Sequence, residues 1–381
     1  MSLEARLRER IQREGPISFY EWMKSALYDE RDGYYCAARV RQGRSGDYRT
    51  APETSPLFAA TFADYFAKLF AELGLPKQFR IVEVGAGSGD FAQGVLATLK
   101  AEHAEVFAAT QYVIEEVCSA SRERSAERLR EFGDRIDVRS PIISEGEPRK
   151  VALPDGRASD TIIGVIFSNE LLDAFPVNRV VMRDGRLRQL FVGIDDSQFV
   201  WQEKELEDAI AAYCNRIHLN LGEGQIAEIN LDAEAFIARA AASLESGYVV
   251  TVDYGADRNE LLNSAERRQG TLRAFRSHQF AANVLANPGQ QDLTTTIDWT
   301  QIKEAGEHCG LRTVRFDPLD QFLIEEGLLN RIATIAQTVT DMAEALQLTT
   351  SARELIVPGA MVSSFQVLVQ EKCLVTNGVV L

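Results

Sequence analysis

The stretch IVEVGAGSGDF, from Ile81 to Phe91, decides how the rest of the chain is read. β-forming residues carrying an acid give way to glycines at alternate positions and then to a new apolar residue, a pattern that predicts a strand turning into a helix around a ligand. A dinucleotide loop of the form Gly-x-Gly-x-x-Gly needs its third glycine three positions after the second, so that the helix can pack closely on the strand. Here the glycines are Gly85, Gly87 and Gly89, and that position holds Asp90. No Gly-Lys-Ser/Thr follows, so a phosphate-binding Walker loop is also a poor match. A purely structural glycine turn stays open at this point.

Outward from this loop the texture alternates between strand and helix. Strands are expected at about 79–84, 111–116, 136–138, 161–168 and 247–253, the rhythm of a doubly wound parallel α/β sheet. Between the last two lies VNRVVMRDGRLRQLFVGIDDSQFVWQEK, where Asp184-Gly185 is a hairpin signal inside an inserted antiparallel ribbon. A helical block near 320–348 precedes MVSSFQVLVQEKC, which reads as a final strand. Apolar faces at Leu7, Ile11, Phe19, Trp22, Met23 and Leu27 make the N-terminus helical. The expected division is a helical cap with a long loop over 1–75, then a domain over 76–381 with insertions at about 177–245 and 256–350.

The chain has 381 residues, 45% of them hydrophobic and 25% charged, which is ordinary globular composition and enough length for a full core. Apolar runs such as IIGVIF are far too short to insert in a bilayer. A formal charge of −15 argues against nucleic acid, whose binding rests on clustered Lys and Arg, and fits a cationic partner better. The five cysteines form no Cys-x-x-Cys pair, so no metal site is suggested. The first fifteen residues read as a charged helix rather than a secretion or transit signal, and the expected location is cytoplasmic.

Gly-x-Gly-x-Gly after a strand bearing an acid resembles class I S-adenosylmethionine (SAM) methyltransferases. SAM needs close backbone approach for its amino-acid end and an acid, here Glu83, near its ammonium. A second acid at the end of the next strand would take the ribose hydroxyls. Glu116 stands there, while Glu115 faces the other way along the strand; a solvated strand end is the alternative for Glu116. The fourth strand ends in FSNELLDAFPVNRV and delivers Asn169, Glu170 and Asp173 at the carboxyl edge, where reacting groups of open α/β sheets collect. Methyl transfer is an in-line displacement that mainly requires positioning. Carboxylates hold a guanidinium nucleophile bidentately, so Glu170 is the first choice for that role with Asn169 beside it. Asp173 equally suits a capping role. The fifth strand, YVVTVDYG, brings Asp253 to the next carboxyl end or to a turn closed by Gly255.

Taken together, GDYRTAPETSPLF (46–58), VEVGAGSGDF (82–91), SNELLDAFPVNRV (168–180), VDYG (252–255), GTLRAFRSHQF (270–280) and NPGQQDLTTTIDW (287–299) resemble, in order and approximate spacing, the MidA-like methyltransferases, the family of a mitochondrial complex I assembly factor that methylates arginine. The resemblance implies a class I fold, SAM as cofactor, and a protein arginine as acceptor, on a complex I subunit in the mitochondrial branch. It implies that Gly85, Gly87, Gly89 and Glu116 line the cofactor, that a loop with Asp47, Thr50, Pro52, Glu53 and Ser55 covers it, and that Asn169, Glu170, Asp173 and Asp253 face the acceptor. This chain departs from the family form at Ala86 and Ser88 in the loop, at Cys118-Ser119, at Thr296 in place of a histidine, and at Met361-Val362. His278 is the one histidine in a matched motif and suits a structural hydrogen bond or a role at the acceptor. A binding platform without catalysis and a small-molecule methyltransferase are the alternatives, with hydride chemistry ranked last because of the glycine spacing.

Overall fold

In the computed structural model, residues 1–37, 55–141, 161–276, 279–338, 341–353, 355–356, 364–373, 375–376 and 379–380 are described. The chain forms two compact units: Arg49–Leu171, Phe236–Gly255 and Lys303–Leu381 make one, and Met1–Tyr48, Leu172–Ala235 and Ala256–Ile302 the other. This differs from the expected split after residue 75. The helix Pro56–Glu72, assigned to the cap by its place in the sequence, packs its phenylalanines into the core of the sheet unit.

That unit is built on strands β1 (Phe79–Val84), β2 (Thr110–Glu115), β3 (Ile136–Arg139), β4 (Ile162–Asn169), β5 (Leu244–Ala256), β6 (Arg312–Pro318) and β7 (Phe365–Lys372). They lie in the order β3-β2-β1-β4-β5-β7-β6. The first five pair in parallel, and β7 runs antiparallel between β5 and β6. The order reverses between β1 and β4, and in a doubly wound sheet ligands bind at the carboxyl ends of the strands on either side of such a switch. The expected α/β class is therefore present, and the topology adds β6, which the sequence reading did not include.

One face of the sheet carries Phe79, Ile81, Tyr112, Ile114, Val165, Phe167, Val250 and Val252 into a core shared with the helices Pro56–Glu72, Asp90–Glu102 and Leu319–Glu325. Ser55 caps the first of these helices by accepting from Leu57 N, and Pro56 takes the first-turn position it suits. Phe58, Phe62 and Phe66 recur at helical spacing and are fully buried. Phe91 stacks on Phe167 with centroids 4.3 Å apart, and Phe62 on Phe322 at 5.2 Å. Each such ring contributes roughly 1.5–3 kcal/mol by leaving water. Gly94 lets two of the helices meet, since a Cβ there would lie 2.6 Å from Ala59 Cβ. The Arg331 guanidinium, on the helix Leu328–Thr338, donates to Asp64 at 2.6 and 2.7 Å and to Glu102 at 3.0 and 3.1 Å, tying that helix to the same layer.

The other unit joins the helices Leu3–Glu14 and Phe19–Tyr28 to an antiparallel sheet. Its order is Ile17–Ser18, Arg186–Asp195, Asn178–Arg183, Ile226–Ile229, with Gln198–Lys204 also paired to Arg186–Asp195. The expected Asp184-Gly185 turn forms with φ of 49° and 71°, the both-positive pattern of a type I′ hairpin. The ribbon has a third strand because Asp196-Ser197, also at positive φ, turns the chain again. Leu3, Leu7, Ile11, Phe19, Trp22, Met23 and Leu27 form this unit's core with Val177, Val192 and Leu293. Among the described residues, no helix is long and apolar enough to cross a membrane.

Candidate functional site

β1 ends at Val84, and the chain then passes through Gly85, Gly87 and Gly89 at φ of 78°, 56° and 79° before the helix Asp90–Glu102 begins. An L side chain pays about 1–2 kcal/mol in this left-handed region, and glycine does not. Space adds a second constraint. A Cβ on Gly85 would sit 2.8 Å from Leu171 Cδ1, and one on Gly89 would sit 3.2 Å from the Ser125 side chain. The helix starts with no side-chain cap, so its first N–H groups face the loop.

The loop is held from the next strand. Gly85 N donates to Glu115 O at 2.8 Å. Glu116, one residue past β2 and buried, accepts from Gly87 N at 3.1 Å through one carboxylate oxygen and from Cys118 N at 2.9 Å through the other. Ser125 Oγ donates to Gly87 O at 3.1 Å, so the glycine is gripped at both ends. Burial raises the Glu116 pKa, against which the backbone N–H donors work. Glu115 points away and pairs with Arg139 at 2.8 Å, as the strand alternation requires.

Glu83 lies on the core face of β1, buried, and accepts from the Tyr112 hydroxyl at 2.7 Å. Desolvation pushes its carboxyl up to about 8, with the charges of Glu116 and Asp90 adding to the rise and the Tyr112 bond opposing it. A carboxyl raised in this way gives up its proton more readily when a cation is brought beside it.

β4 ends at Asn169. Glu170 follows at φ 49°, a left-handed conformation rare outside glycine and asparagine, while its N–H still bonds Val252 O on β5 at 3.0 Å. Asn169 Nδ2 donates to Glu170 Oε1 at 3.1 Å, yet Asn169 Oδ1 is buried with no hydrogen-bond partner among the described residues. Leu171 connects this corner to the glycine loop through Gly85. Asp253, fully buried near the end of β5, accepts from Tyr254 N at 2.8 Å.

The sheet unit thus gathers Glu83, Gly85, Gly87, Gly89, Glu116, Asn169, Glu170 and Asp253 at the carboxyl ends of its strands. Asp173 belongs to the other unit, where it is buried and its carbonyl accepts from Thr295 N at 2.9 Å. Thr50, Pro52, Glu53 and Asp47 of the expected covering loop, and His278, lie outside the described residues. Tyr112, Ser125 and Leu171 support the site and were missed. The first could have been sought as a partner for a buried acid, and the other two leave no local signal.

Residues 61–317, well over half of the chain, match the model of a family described as "Putative S-adenosyl-L-methionine-dependent methyltransferase". The chain belongs to this family. It is 28% identical to a Burkholderia thailandensis protein whose crystal structure holds S-adenosyl-homocysteine; the two align over 97% of this chain and 92% of that one, with a TM-score of 0.82. The Drosophila melanogaster mitochondrial protein arginine methyltransferase NDUFAF7 homolog is 26% identical over 81% of this chain and 71% of its own length. The Xenopus tropicalis mitochondrial protein arginine methyltransferase NDUFAF7 is 24% identical over 89% and 78%.

The methyltransferase family brings SAM as cofactor, and the glycine loop fits it. Three left-handed glycines let the backbone approach a ligand closely, and a buried acid ends each of the two strands beside it. The relatives named as mitochondrial overturn the cytoplasmic expectation. That expectation rested on the first residues lacking the character of a signal. Leu3, Leu7 and Ile11 are instead buried in the core of their unit, so the stretch is shaped by packing and says nothing about address.

Proposed function

We propose that this methyltransferase acts on a guanidinium nitrogen of arginine in a protein substrate. The observation that carries the reading is the corner after β4, where Asn169 Oδ1 is buried with no hydrogen-bond partner among the described residues and Asn169 Nδ2 donates to the Glu170 carboxylate. Two acceptors side by side suit a planar group with several N–H donors, and guanidinium is the side chain with that geometry. The names of the curated relatives support the same acceptor.

SAM supplies an electrophilic methyl on a sulfonium. The chain's own part is to bind and orient. The Gly85 to Gly89 backbone receives the amino-acid end, Glu83 faces its ammonium, and Glu116 takes the ribose hydroxyls while it keeps Gly87 in place. In this reading Thr50, Pro52 and Glu53, which lie outside the described residues, also belong to the set that binds the cofactor. Glu170 and Asn169 would hold two guanidinium nitrogens and leave the third for the methyl. With the donor bound, transfer of its methyl to the nitrogen and loss of the sulfur as a neutral thioether would leave the product guanidinium with a proton to give up, which Glu170 or solvent would accept. Asp253, buried at the next strand end, faces the acceptor in this reading, and Asp173 fixes the segment after β4 through its backbone.

Calorimetric titration with SAM and with S-adenosylhomocysteine, using Gly87→Val as the control, tests the cofactor site. Labelled methyl transfer onto co-purifying proteins, read as methylarginine by mass spectrometry, tests the acceptor. Binding in the wild type that is absent from the control, with label on arginine, is expected. Label on another residue type would overturn the acceptor while leaving the cofactor assignment intact.

A further inference from the structure

Three acids border the glycine loop, and their partners differ. Asp90, in the first turn of the helix Asp90–Glu102, is bonded by the Arg128 guanidinium at 2.6 Å. Glu116 accepts backbone N–H groups from Gly87 and Cys118. Both therefore have donors that suit a carboxylate. Glu83 has neither kind. Among the described residues its one hydrogen bond is that from the Tyr112 hydroxyl at 2.7 Å, and no basic side chain or backbone N–H bonds it.

The pair is set by the register of two strands. Ile81 of β1 lies opposite Tyr112 of β2 and Glu83 opposite Ile114, so the phenol reaches Glu83 diagonally along the core face. Tyr112 is wholly buried and Glu83 nearly so. β4, whose Phe167 lies opposite Glu83, and the phenylalanine face of the helix Pro56–Glu72 bring no other titratable group to it among the described residues. A carboxylate here would leave water with one neutral donor while Glu116 and Asp90 stand nearby, and a group so placed keeps its proton. Burial pushes Glu83 up to about 8, with the Tyr112 bond working against the rise and the charges of Glu116 and Asp90 adding to it.

We propose that Tyr112 is a positioning residue for the amino-acid end of the cofactor, holding Glu83 where the cofactor's ammonium takes the place of the acid's proton. The step depends on Glu83 facing that ammonium, as proposed above. It is balanced: Glu83 gives one proton to solvent, and its carboxylate pairs with the ammonium. The site thereby selects ligands that carry an ammonium. A nucleoside thioether without the amino-acid end, such as 5′-methylthioadenosine, has nothing to exchange for the proton.

Calorimetric titration of the full-length protein in buffers of different ionisation enthalpy counts the protons released. At about pH 6.5, SAM and S-adenosylhomocysteine are each expected to release close to one proton and 5′-methylthioadenosine none. SAM affinity should rise about ten-fold per pH unit between about pH 5.5 and 7, the slope of one linked proton; nearer pH 8 the ammonium itself begins to lose its charge. Glu83→Gln should abolish the release and flatten the slope. Tyr112→Phe removes the donor that favours the carboxylate, so it should weaken SAM several-fold at about pH 6.5, the effect of one hydrogen bond, and by less at about pH 9.5. SAM binding without proton release at about pH 6.5, release of the same proton by 5′-methylthioadenosine, or an equal deficit of Tyr112→Phe at both pH values would each overturn the inference while leaving the cofactor at the glycine loop. SAM binding undiminished by Gly87→Val would overturn the placement of the cofactor and this step with it.

Discussion

The loop after β1 and the corner after β4 both leave their strands through left-handed backbone, but they do so with different residues. The first spends three glycines, for which φ of 56° to 79° is unstrained. The second puts a glutamate at 49°. A glycine loop of this kind is a surface that lets a ligand approach the backbone, and the side chain it lacks is the point. At Glu170 the fold tolerates roughly 1 kcal/mol of strain to keep a carboxylate where an easier residue would serve the turn. The contrast separates a place that binds through its backbone from one that works through a side chain.

The largest expected effect comes from removing that side chain's charge. Glu170→Gln should lower methyl transfer by about 100-fold or more with SAM affinity unchanged, as for loss of a group acting on the reacting nitrogen. Glu170→Asn, which suits the left-handed region better, should lose activity equally while its unfolding midpoint holds or rises. A fall in stability comparable to the loss of activity would remove the contrast. Next, Glu116→Ala should weaken SAM roughly ten-fold, since Gly87 N–H and the ribose both lose an acceptor. Gly85→Ala should destabilise by about 1–2 kcal/mol in denaturant unfolding through strain and contact with Leu171, and Leu171→Ala should recover the part due to contact.

The smallest change is a slope. Because burial raises Glu83 to about 8 in the folded protein, the ligand-free fold holds a proton that the unfolded chain has released. Its contribution is fully present below the ordinary glutamate range and is lost as pH rises toward 8, at no more than about 1.4 kcal/mol per pH unit. Thermal unfolding of wild type and Glu83→Gln across pH 5 to 9 would read it. Parallel curves would show that Glu83 is not the group responsible.

Much of the sheet was legible because its strands are short apolar runs bounded by turn residues. Expected β1 coincides with Phe79–Val84, and β2 to β4 lie within a residue or so of the strands found. Glu116 and the opposite facing of Glu115 followed from period-two alternation. The interleaving of the two units did not, because it depends on contacts across hundreds of residues. β6 escaped because RTVRFDP mixes charges with its apolar positions, which leaves it partly exposed at the sheet edge. The strain at Glu170 was equally invisible, since no residue there announces positive φ.

The position of β7 also has a consequence in time. The strand that joins β5 to β6 is Phe365–Lys372, near the end of the chain. During synthesis, every earlier strand is available while β5 stands as an unpaired edge and β6 has no neighbour in the sheet. The stretch between β6 and β7 is therefore made while most of the β5 edge in the middle of the sheet waits for its partner. An edge left waiting in this way is a template for pairing with another chain, so it is where aggregation during folding would start.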